Sequence, residues 1–158
     1  MAVWQVDFHI VPLRALATAA QPLTPATLDD AQWWKRAAFP RDYKARLGAV
    51  AVLGKSPRAE LERWGEEDGN RIDVWSADGE VSTVTARVDV RRLDSKFGAA
   101  LLAFVRAIGA VLVRQDGLVV QPTINAYSGA LRGSTAWRYA SDPIAFLASR
   151  AAIEEDAD

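Results

Sequence analysis

Residues 70–92 read NRIDVWSADGEVSTVTARVDVRR. Two alternating runs flank Ala77-Asp78-Gly79, and Asp-Gly supplies the adjacent positive-φ positions that a tight hairpin turn demands. In the second run Val84, Ala86, Val88 and Val90 fall on one side, and Thr83, Thr85, Arg87, Asp89 and Arg91 fall on the other. A strand pair with one apolar and one charged face belongs to an antiparallel sheet whose two sides differ in burial.

Upstream, Val3 to Val11 follows the same rule. Trp4, Val6, Phe8 and Ile10 point one way, Gln5, Asp7 and His9 the other, and Pro12 ends the run. Thr24-Pro25 is an N-cap followed by a first-turn proline, so a helix is expected through about Ala38, with Leu28, Ala31, Trp34 and Ala38 inward and Trp33 outward. A further helical segment is expected after Pro40, carrying Tyr43, Leu47 and Val50. Residues 55–70 read as a short helical turn and an acidic loop around Leu61 and Trp64. Gly54-Lys55-Ser56 lacks the upstream glycine of a phosphate loop and runs into Pro57, so it is read as a chance tripeptide.

Downstream, Asp94 caps a helix over 95–108 that stops at Gly109. A second hairpin pairs 110–114 with 118–121, and short helices follow from Ile124 and from Asp142-Pro143. This order predicts an α+β fold: a mostly antiparallel sheet of about five strands with helices on one face, a ferredoxin-like βαββαβ variant with extra C-terminal helices. One domain is expected over residues 1–153, and 154–158 reads as an acidic flexible tail.

Composition mainly excludes. The chain has 158 residues, half of them hydrophobic, a formal charge of −1, a single His and no Cys. Thiol catalysis, disulfide scaffolding and cysteine-type zinc sites therefore lack their groups. No metal or other cofactor is implied. There are 15 Arg against 4 Lys, but the net charge is too small for a nucleic-acid footprint, and a sheet that reads RNA needs outward aromatics where this chain places Thr, Arg and Asp. The longest apolar stretch, 98–113, is broken by Arg106 and is shorter than the about 20 residues of a membrane span. No basic segment precedes the first apolar run, so a secretory signal is not expected and a cytoplasmic location is.

The candidate site follows from the outward rows. Gln5, Asp7 and His9 should lie beside Arg87, Asp89 and Arg91, with Arg71, Asp73 and Trp75 from the neighbouring strand. That face reads either as a solvated array of cross-strand ion pairs or as a polar groove, with Arg87 or Arg71 holding an anionic group and Trp75 as a wall. His9 has the one side chain whose ordinary titration lies near neutrality, and Asp7 is placed to orient it. His9 and Asp7 are thus the catalytic candidates, with Thr83 or Thr85 as the nearest hydroxyls.

Trp64-Gly65-Glu66-Glu67-Asp68-Gly69-Asn70-Arg71, taken with Arg87-Val88-Asp89-Val90-Arg91 and Asp142-Pro143-Ile144-Ala145-Phe146-Leu147, resembles small uncharacterised bacterial proteins, some of them similar to immunity proteins that neutralise a toxin by binding it. The resemblance implies a protein partner and no catalytic residues. The leading expectation is a non-enzymatic interaction module of the bacterial cytoplasm, using the polar face, the acidic loop and exposed Trp33, Trp64 and Trp75. The alternative is a small enzyme or anionic-ligand binder around Asp7, His9 and Arg87. The nearly all-apolar helix 95–108 adds an expectation of self-association.

Overall fold

The computed structural model describes residues 2–156. The described residues form one open sheet of six strands: β1 (Gln5–Pro12), β2 (Leu61–Gly65), β3 (Arg71–Ala77), β4 (Glu80–Asp89), β5 (Ala110–Arg114) and β6 (Val119–Val120). Their order is β2-β3-β4-β1-β5-β6, and every neighbouring pair is antiparallel. The seven helices are α1 (Leu13–Ala17), α2 (Pro25–Asp30), α3 (Tyr43–Gly48), α4 (Ser95–Ala107), α5 (Ile124–Arg132), α6 (Thr135–Ser141) and α7 (Pro143–Asp156).

Local chemistry accounts for most boundaries. Asp78 and Gly79 both take positive φ, 55° and 78°, and turn β3 into β4. Asp94 accepts hydrogen bonds from the backbone N–H groups of Lys96 and Phe97, and Gly109, at φ 68°, ends the α4 segment. Thr24, Thr123 and Ser134 cap α2, α5 and α6 through their hydroxyls.

Val6, Phe8, Ile10, Ile72, Val74, Val84, Ala86 and Val88 form the apolar face, all nearly inaccessible. Leu101, Phe104 and Val105 of α4 and Tyr127 of α5 belong to the same core, and the Tyr127 ring lies 6.0 Å from that of Phe8. Full burial of each large apolar side chain contributes about 1.5–3 kcal/mol, so this layer is the main source of stability. The larger apolar side chains of α4 are used up in this packing, and its uncovered side carries Ala99, Ala103, Arg106 and Ala107.

Several expectations are corrected. Residues 61–65 form a sixth strand, not a helical turn, because Trp64 and Leu61 bury against β3 while Leu53 bridges to Trp64 from the outer side. The helix opened by Thr24 stops at Asp30 instead of Ala38, so a projection with a helical period does not apply beyond it. Trp33 and Trp34 are consecutive yet both buried, the first donating its indole N–H to the Leu28 carbonyl and the second to that of Ile10. With Trp33 and Trp64 both 6% exposed, only Trp75 of the three aromatics expected outside remains half-exposed.

Helices do not keep to one face either. On the polar side, β1 and β5 present Val11, Val111 and Val113, which need cover, and the segment leading through α2 supplies it with buried Leu23 and Leu28. Gly117 at the β5–β6 turn permits this path, since a Cβ there would collide with the Leu23 carbonyl. Of the acidic stretch 154–158, Glu154 to Asp156 continue the α7 backbone and the last two residues lie outside the described ones. No described helix is long and apolar enough to cross a membrane.

Candidate functional site

Register brings the polar side chains into two transverse rows. In one, Arg63 of β2 faces Asp73 of β3, Asp73 faces Thr85 of β4, and Thr85 faces His9 of β1. In the other, Arg71 faces Arg87, and Arg87 faces Asp7. Gln5 stands opposite Asp89, and Trp75 opposite Thr83.

The nine expected binding residues therefore share one region, but with different roles. Arg87 grips Asp7 with two hydrogen bonds, Nε to Oδ1 at 2.8 Å and Nη2 to Oδ2 at 3.2 Å, and this contact holds its guanidinium above the usual range. Arg71 is buried and donates from Nε to Asp73 Oδ2 at 3.1 Å and from Nη1 to the Glu67 carbonyl. Arg63 Nε approaches the other Asp73 oxygen at 3.4 Å. Burial pushes the Asp73 carboxyl up and the Arg71 guanidinium down, in each case against the pull of the opposite charge. Arg91 pairs with Asp89 at 2.8 Å and holds that carboxyl below its usual value. Trp75 stands apart from these ion pairs, beside Leu61 and Thr83.

The face is not flat. α2 stands over it and roofs a cleft of about 340 Å³. Asp7, His9, Asp73, Thr85 and Arg87 are lining residues from the sheet, and Pro25, Leu28 and Asp29 line it from α2. Gln115 closes one side, its side-chain oxygen accepting from the Asp7 backbone N–H at 3.0 Å.

His9 sits at the junction of roof and floor, only 6% exposed. Its Nε2 lies 3.3 Å from Asp29 Oδ1, which places the ring proton on that side, and Nδ1 is sealed without a partner. Burial lowers its pKa, opposed by Asp29 and Asp7, so the imidazole is neutral at neutral pH. His9 is not bonded to Thr85 or to Asp7, so no base is set against a hydroxyl nucleophile. The cleft therefore presents hydrogen-bonding side chains on its floor and the apolar Pro25 and Leu28 on its roof. Among the described residues no group of three or more His, Asp or Glu side chains could hold a metal ion.

Arg63, Asp29 and Gln115 stand outside the expected site residues, and Leu28 is expected only on an inward helix face. Arg63 carries no period-two signal, since Leu61 shares its side of β2 and Glu62 shares that of Trp64. Asp29 and Gln115 carry no local signal, since they reach the site only through the path of the chain. Comparison with known protein families, with curated proteins and with solved structures finds no match to this chain, and the cleft itself is the ground for a functional reading.

Proposed function

We propose that this protein binds a small molecule in the cleft between α2 and the polar sheet face. The observation that carries the reading is the roof: a helix placed over buried and half-buried polar side chains, where a bare ion-paired sheet would have been flat. The volume falls at the small end of ligand sites, and the wall of Pro25 and Leu28 against a floor of Asp7, Thr85 and Arg87 suits a compound with one apolar edge and one hydrogen-bonding edge. The absence of a nucleophile and base in contact favours binding over turnover. The inner strand order β3-β4-β1-β5 supports reading the core as a ferredoxin-like arrangement, with β2 and β6 as edge additions.

The test is a fragment library screened by ligand-observed NMR, with hits mapped on the amides of the labelled protein. Hits should perturb Asp7, His9, Thr85 and Arg87 and be lost in Thr85→Phe, which fills the floor. A library with no hit at these amides, or hits indifferent to Thr85→Phe, rejects the reading.

A second reading, an interaction module similar to immunity proteins, is favoured by α7, where Ile144 and Leu147 are 83% and 57% exposed. It requires a protein partner whose binding is abolished in Ile144→Ser/Leu147→Ser and retained in Thr85→Phe.

A further inference from the structure

Across the Asp7–Arg87 pair from the cleft, the same face holds a second, open concavity of about 520 Å³. Arg63, Arg71, Arg87 and Arg91 line it, drawn from β2, β3, β4 and the turn after β4. Trp4, which precedes β1 in a turn and so does not follow the strand alternation that put it with the apolar row, adds an aromatic wall with the Arg91 guanidinium 3.9 Å above its ring. We propose that this groove is a binding site for a phosphate-type oxyanion.

The first argument is placement. Arg71 and Arg87 stand directly opposite each other across β3 and β4, with Arg63 near Arg71, and like charges so placed repel. Arg71 is moreover buried, which adds the cost of desolvating a cation. An anion between them relieves both.

The second argument is the use of donors. Arg71 spends Nε on Asp73 and Nη1 on the Glu67 carbonyl, and among the described residues Nη2 makes no hydrogen bond. Arg87 spends Nε and Nη2 on Asp7, Arg91 spends the same two atoms on Asp89, and Nη1 of each is unused. Asp7 and Asp89 thus clamp one edge of Arg87 and Arg91, Asp73 and the Glu67 carbonyl hold two nitrogens of Arg71, and one terminal nitrogen of each of the three guanidiniums is left to a ligand. Planar forks with fixed orientation match a tetrahedral oxyanion better than mobile lysines would.

The remaining acids mark the rim. Glu67 is 82% exposed in its side chain and lies 3.7 Å from Arg63 Nη1, a loose contact that an entering dianion displaces. Asp68 takes part through its carbonyl, which accepts from Gln5. The groove is distinct from the cleft, sharing Arg87 alone with its lining, and an oxyanion there does not require an occupant under α2.

The experiment is an amide NMR titration of the whole chain with inorganic phosphate and, separately, methyl phosphate, against sodium chloride at matched ionic strength. Saturable shifts are expected at Arg63, Arg71, Arg87 and Arg91, weakened at least fivefold by Arg63→Gln and strengthened by Glu67→Gln. Equal binding of both probes assigns the site to a phosphate monoester group, and binding of inorganic phosphate alone assigns it to the free ion. Shifts that fail to saturate, that chloride reproduces, or that Arg63→Gln leaves unchanged overturn the proposal. Arg91→Gln, at a more exposed position, decides the matter in the same way if Arg63→Gln does not fold.

Discussion

Asp7 and Arg87 meet face to face across β1 and β4 in a two-pronged ion pair at 2.8 and 3.2 Å, with both side chains about three-quarters buried. Both residues line the roofed cleft, and Arg87 also lines the arginine groove. Its strength should lie between that of exposed and fully buried pairs. Asp7→Asn is expected to cost about 1–2 kcal/mol, with a coupling energy near 1 kcal/mol in the cycle with Arg87→Gln. Urea denaturation of the two single variants and the double variant measures both.

His9 should make stability depend on pH. Its folded pKa lies below the ordinary 6.5, so below that pH the unfolded chain takes up more protons than the folded one. The contribution is complete above pH 6.5 and is lost as pH falls through the window down to the folded value. Thermal melts at several pH values in that window should show wild type losing more than His9→Gln. The imidazole NMR midpoint should fall below 6.5, and further in Asp29→Asn, because Asp29 is the main group raising it.

Leu28 is the apolar anchor of the roof, with no exposed surface. Leu28→Ala should cost about 2–5 kcal/mol, the range for emptying a core leucine site. Amide exchange should rise first along α2 and at His9. A uniform rise across the sheet would mean that α2 does not open separately.

The β3–β4 turn offers a backbone test. Gly79 sits at φ 78° and a Cβ added there would meet nothing within 4 Å, so Gly79→Ala incurs only the left-handed backbone penalty of about 1 kcal/mol. Asp78→Asn, at φ 55°, should stay within about 0.5 kcal/mol of wild type, because Asn tolerates this region as Asp does. Denaturant midpoints check both.

Much of the site was legible wherever it lay on a strand of period two. Alternation puts Asp7 and His9, Arg71 and Asp73, and Arg87 and Asp89 on one face, and they share it. Arg63 lies in a five-residue strand with no polar–apolar alternation, beside a run of acids that imitates a helical turn. A helical period misplaces Trp33 because the chain leaves the helix at Asp30, and both neighbouring indoles then find carbonyl partners.

Alternation, the Asp-Gly turn and the caps at Thr24 and Asp94 are short-range effects, and they determined by themselves which side of β1, β3 and β4 is apolar and where α2 and α4 begin. Whether the polar side is a plane or a cleft was decided by the fold alone. Leu28 and Asp29 reach His9 because Val11, Val111 and Val113 require cover, a demand that exists only once β5 has paired with β1. Burial of the ion pairs, the seal around His9 and the meeting of four arginines all depend on contacts between residues far apart in the chain, which no local pattern encodes.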